Sequence, residues 1–214
     1  MRRVKGSTEA ATESRRAQGE ETRRRILQAA GDEFAERGYQ SATMARIAER
    51  AGVAVQTVYF SFRNKPALLS ALIESQVVGP EDPTRPEDTD WFAEMLARTD
   101  GADALRLFAE GGLGVFERAS VAVETARLAA PAEPAIAGVL EYFDGLRRVQ
   151  FSRVVEALRH HGALRADLSP ERATDVLMVV ASPQTYLAFT RGQGWEPREW
   201  AQWLGDALAH LLLD

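Results

Sequence analysis

Apolar residues recur at helical spacing along nearly the whole chain. From Thr22 to Arg37, Ile26, Leu27, Ala30 and Phe34 fall at i, i+1, i+4 and i+8, one stripe of a helix, and Gly38 follows where a C-terminal cap belongs. Thr43 is a good N-cap for a short helix from Met44 to Ala51, whose inner face is Ile47, Ala48 and Ala51. Gly52 supplies a turn. In the next stretch Val55, Val58 and Phe62 share one side of a helix with Tyr59 at its edge, while Gln56, Thr57, Phe60 and Ser61 share the other. This succession predicts a helix-turn-helix. Pro66 is tolerated in a first helical turn, and Leu68, Leu69, Leu72 and Ile73 carry a further helix to about Val78.

Gly79 to Asp88 is dense in proline and acid, so helix must stop there and a long connection is expected. Beyond it the pattern is helical again. Trp91, Phe92, Met95 and Leu96 keep helical spacing, as do Leu105, Phe108, Gly112, Val115 and Phe116, with three glycines between 111 and 114 predicting a kink or a loose contact. A long helix follows Pro131 and Pro134 through Ile136, Leu140, Phe143, Val154 and Leu158 to a stop at Gly162. Ser169-Pro170-Glu171 is a helix start with N-cap, proline and an acid near the positive dipole end. That helix is expected to kink at Pro183. Glu196-Pro197 opens the last helix, where Trp200, Trp203, Leu204, Ala207, Leu208 and Leu211 form a broad apolar face. The expected class is all-α: a flexible basic arm at 1–19, a three-helix helix-turn-helix head at 20–65, and a helical body for ligand binding and dimerisation at 66–214. Within that body, 66–78 is a connecting helix and 79–90 a loop.

Charge changes this picture. The net charge of −5 argues against a nucleic-acid binder, but residues 1–65 carry 13 Lys and Arg against 8 Asp and Glu, leaving 13 against 23 for the remainder. A basic head on an acidic body is the asymmetry expected when one domain meets phosphate. Arg2, Arg3, Lys5, Arg15 and Arg16 of the arm read either as following a backbone or entering a minor groove, or as part of an inert disordered tail. Without cysteine, disulfides and thiolate metal sites are excluded. No apolar run reaches the length of a membrane span, and the expected location is the cytoplasm.

Gln56, Thr57, Phe60 and Ser61 suit base edges in a major groove, where an amide can pair with adenine and an apolar group can touch the thymine methyl. Val55 lies at the start of that helix and can approach a base methyl. Tyr59 at the groove edge, Lys65 at the next helix start, Thr43 and Arg46 are phosphate candidates. His160, His161 and His210 do not converge, and no phosphate loop or nucleophile elbow is present, so neither metal, cofactor nor enzymatic activity is expected.

The head resembles the TetR family of bacterial transcriptional regulators. The resemblance rests on Thr22 with Ile26-Leu27-Gln28-Ala29-Ala30, Phe34, Gly38-Tyr39, Thr43, Ile47-Ala48, Ala51-Gly52-Val53, Thr57-Val58-Tyr59, Phe62, and Lys65 with Leu68-Leu69, about fifty residues in register. Two positions depart from the family pattern. Ala54 stands where the family commonly has a capping Ser, a loss of about 1 kcal/mol for the helix, and Gln56 stands where it commonly has Gly. The resemblance implies a homodimer through the last two helices, about 170–191 and 197–213, reading a palindromic operator with heads about 34–36 Å apart. It further implies a repressor released by a small, largely apolar inducer. Met95, Phe108, Phe116, Phe143, Met178 and Tyr186 are candidates to line its pocket. A ligand-independent global regulator, and a small-molecule-binding protein with a vestigial head, remain as alternatives.

Overall fold

The computed structural model describes residues 5–79 and 85–214, and Arg2 and Arg3 of the expected arm lie outside them. The chain divides into two compact units, Met1–Leu72 and Ile73–Asp214. The head contains α1 (Lys5–Ser41), α2 (Met44–Ala51), α3 (Val55–Phe62) and the first half of α4 (Lys65–Val78). Helix α1 begins at Lys5, so the segment expected as an arm is helical from that residue onward. It bends at Gly38, where φ 70° and ψ 169° interrupt the helix in a region that favours glycine. Ile26, Ala30 and Phe34 of α1, Ile47 and Ala48 of α2, Val58 and Phe62 of α3, and Leu68 and Leu69 of α4 are buried. The Phe34 ring stacks on Tyr39 at 5.7 Å between centroids.

Two local devices set α2 and its turn. Thr43 accepts the Arg46 amide on Oγ1 at 3.2 Å, closing the N-terminus of α2. Gly52 at φ 64° ends the helix, its N–H and that of Val53 returning to the carbonyls of Glu49 and Ala48. A charge cluster fastens α2 to α1. Glu33 is 2 % exposed, yet its carboxylate meets Arg46 Nε at 2.9 Å, Arg37 Nε at 3.3 Å and an Arg50 Nη at 3.5 Å. The Arg46 approach is close but off the hydrogen-bonding direction, so the hold is coulombic.

In the body, α5 (Asp90–Ala97), α6 (Gly101–Ala129), α7 (Pro134–His160), α8 (Pro170–Val180), α9 (Pro183–Leu187) and α10 (Pro197–Leu212) enclose a core containing Phe92, Met95, Phe108, Phe151, Leu177, Trp200 and Leu208. A 3-10 turn, Pro86–Asp88, precedes α5. The glycines of α6 leave that helix unbroken. At Gly111 a Cβ would lie 2.3 Å from the Trp91 indole, so this glycine seats the tryptophan of α5 against the α6 backbone. Gly205 serves the same end between α10 and α6, where a Cβ would lie 3.1 Å from Arg106 Cα.

Around Pro183 the chain breaks instead of kinking. α8 stops at Val180, Ser182 caps a new helix by accepting the Thr185 amide at 3.2 Å, and Pro183 takes the first helical position, where its missing N–H is of no consequence. A π-turn at Ala188–Gly192 then closes the segment. The apolar face of α10 packs along α6, with Trp200, Leu204, Leu208 and Leu212 fully buried. In the body, the large apolar side chains left exposed are Tyr142, Leu146 and Val149 on α7, Val179 on α8, Leu128 on α6 and Leu211 on α10.

The Glu33 cluster yields a stability prediction. Glu33→Gln leaves three guanidinium groups facing an amide and is expected to lower unfolding free energy by about 1–2 kcal/mol, less than for a fully buried pair because the arginines are partly solvated. Urea unfolding of the full chain measures it; an unchanged midpoint would show that the cluster contributes nothing.

Candidate nucleic-acid interface and body cavity

Helix α3 is only eight residues long, and its two faces differ sharply. Val58 and Phe62 are buried, whereas Gln56 is exposed, Tyr59 is 51 % exposed and Phe60 is 91 % exposed. Val55, Thr57 and Ser61 are half-buried, and the Ser61 hydroxyl donates to the Thr57 carbonyl at 2.9 Å. Ala54 makes no side-chain cap; the Thr57 amide bonds only its carbonyl, at 2.9 Å. The outer face therefore presents an amide, a phenol and a bare phenyl ring.

The other expected phosphate residues are drawn toward the protein. Thr43 is exposed, with its hydroxyl oxygen on the Arg46 amide, and the Arg46 guanidinium lies against Glu33. The Lys65 ammonium donates to the Tyr39 carbonyl at 2.8 Å and the Ala42 carbonyl at 3.0 Å, and sits 4.2 Å from the centre of the Tyr39 ring. It thus ties the start of α4 to the end of α1 and the turn into α2. Between α3 and α4, Arg63 adopts φ 61° and ψ −50° while the Asn64 amide reaches the Phe62 carbonyl at 2.6 Å. This is the strained γ-turn that non-glycine residues avoid.

The body holds a cavity of about 140 Å³ whose wall includes Trp91, Phe108, Phe116, Phe143, Phe151 and Val115. Of the residues expected to line it, Phe108, Phe116 and Phe143 do so. Met95 is in the core, Met178 lines a separate shallow groove, and Tyr186 packs on Phe116 and Trp200. The wall also holds polar residues that were not among the candidates: Ser120 and Arg147, together with Glu74, Arg85, Glu87, Asp144 and Gln150. Burial is the main influence on the Arg147 guanidinium and pulls its pKa below the ordinary arginine value, with Asp144 opposing and Arg148 adding to the effect. The sequence carried a signal for it: Phe143, Arg147, Phe151 and Val154 recur at helical spacing, and only Arg147 is charged.

Residues 26–72 match the family model of bacterial regulatory proteins, tetR family. The head is a TetR-family helix-turn-helix domain. The chain is 43% identical over 58 residues to the HTH-type transcriptional regulator TtgR of Pseudomonas putida, a stretch covering 27% of this chain and 28% of TtgR. Among solved structures, Salmonella enterica GusR superposes with a TM-score of 0.67 at 25% identity, covering 89% of this chain and 95% of that one. A Saccharomonospora viridis putative transcriptional regulator in complex with choline shares the fold, with a TM-score of 0.69 at 20% identity over 91% and 99% of the two chains.

In this TetR-family head the residue most at odds with its backbone is Arg63. Arg63→Gly relieves a left-handed φ and is expected to raise unfolding free energy by about 1 kcal/mol, after allowing for the greater freedom of glycine in the unfolded chain. Thermal unfolding of the full chain checks it; a lower midpoint would show that the arginine side chain holds the turn.

Proposed function

We propose that the protein is a dimeric transcriptional repressor whose α3 reads a pseudo-palindromic operator and which a small ligand in the body releases. The observation that carries the DNA reading is the outer face of α3, where Gln56, Tyr59 and an almost wholly exposed Phe60 stand together. Phe60 lacks a core role, and a bare ring beside an amide suits a thymine methyl beside an adenine edge. Tyr59 hydrogen-bonds phosphate, and Thr43, Arg46, Val55, Thr57 and Ser61 flank the contact. Lys65 supports binding by bracing the turn through its two carbonyl contacts.

Dimerisation uses the apolar side chains that α7 and α8 leave exposed, Tyr142, Leu146, Val149 and Val179. On α10, also expected in the interface, Trp200, Leu204 and Leu208 are buried within the protomer while Leu211 remains exposed and can join the contact. A ligand that favours one of two head spacings by 1–3 kcal/mol shifts DNA affinity by about 5- to 150-fold.

Selection of duplexes from a random pool by the full chain tests this reading. The expected product is an inverted repeat with half-sites one or more helical turns apart. Gln56→Ala should relax preference at one base pair at a cost of about 1–3 kcal/mol, whereas Tyr59→Phe should weaken all sequences alike. Failure to enrich any sequence would sink the proposal.

A further inference from the structure

The body cavity has a largely apolar wall, and two of its polar residues, Arg147 and Ser120, carry buried atoms without the partners that burial demands. Arg147 Nε is buried with no hydrogen-bond partner; one Nη donates to the Asp144 carboxylate at 3.1 Å, and the guanidinium lies 5.8 Å from the centre of the Phe151 ring. Asp144 itself is largely solvated. The Ser120 hydroxyl is fully buried and also lacks a partner. An unmet buried donor, above all a charged one, is costly, and proteins keep such groups where something else completes them. Both residues line the same cavity as the aromatic wall.

We propose that the ligand of this cavity is an organic monoanion: a carboxylate on a single-ring or similarly compact apolar body. The identification rests on the reading that the cavity binds the regulatory ligand. The carboxylate accepts from Arg147 Nε–H and from the Ser120 hydroxyl, a charge-assisted pairing roughly twice as strong as a neutral one. Its apolar body lies among Trp91, Phe108, Phe116 and Phe143. Cavity size supports the scale, since an apolar void of about 150 Å³ admits benzene. The acids of the wall do not reverse the sign. Glu74 is solvated and paired with Arg85 at 3.8 Å, and Asp144 is paired with Arg147. Glu87, half-buried on the 3-10 turn, is the one acid that favours a cation, so a cationic probe forms the counter-arm.

The test is calorimetric titration of the full chain with phenylacetate, 3-phenylpropanoate, their primary amides and 2-phenylethylamine, with tryptophan fluorescence as a second readout because Trp91 is in the wall. Each carboxylate should bind on the order of 10-fold more tightly than its amide. That ratio should fall to about one in Arg147→Gln, recover in part in Arg147→Lys, and persist in Arg148→Gln, whose exposed arginine bonds Asp175 instead. Ser120→Ala should lower it by a smaller factor. Amides or the amine binding as tightly as the carboxylates, or an unchanged ratio in Arg147→Gln, would overturn the anion while leaving a ligand cavity intact. Binding of none of the probes would overturn the cavity reading and the proposal with it.

Discussion

A two-turn helix has little stability of its own, because nucleation costs more than so few hydrogen bonds return. Everything about the head follows from holding α3 in place while leaving one of its faces bare. Its own N-terminus does not help, since Ala54 brings no capping oxygen. The hold comes from elsewhere: Val58 and Phe62 anchor its inner face in the core, the Gly52 turn sets its entry, and the strained Arg63 turn sets its exit. Lys65 and Glu33 then brace the helices that carry those anchors, one through backbone carbonyls and the other through three arginines. With rigidity supplied from behind, Gln56 is free to differ from family usage without loss of the scaffold.

The body obeys a different constraint. Its long helices approach closely where side chains are absent, at Gly205 against the Arg106 backbone and at Gly111 beneath Trp91. Placing Trp91 there makes it a wall of the cavity. The same helices leave Ser120 and Arg147 facing an apolar space, so the packing that gives the body its core also leaves a small site with unmet polarity.

Much of this was legible in the sequence because periodicity and caps are local. The bounds of α2 follow from Thr43 and Gly52, and the starts of α7, α8 and α10 from Pro134, Ser169-Pro170 and Pro197. The inner and outer faces of α3 were readable from a helical wheel. What escaped depends on distant partners. The sequence offers Lys65 as a phosphate ligand but gives no sign that its ammonium also donates to the carbonyls of Tyr39 and Ala42, far away in sequence. Arg147 is hidden as one of two adjacent arginines, of which one bonds Asp175 in solvent and the other lines a cavity. The apolar stripe of α10 reads equally as interface or core, and the close approach at Gly205 draws Trp200, Leu204 and Leu208 into the core while leaving Leu211 outside it. Met95 and Met178 share a residue type with pocket walls but not a position.

The central claim is that the bare face of α3 serves recognition and not stability. The affinity of Phe60→Ala for a selected duplex, at fixed salt and beside its thermal unfolding midpoint, tests it most directly. The account predicts a loss of DNA affinity on the order of 10-fold with the midpoint unchanged, the scale of one lost apolar base contact. Unaltered affinity would contradict it.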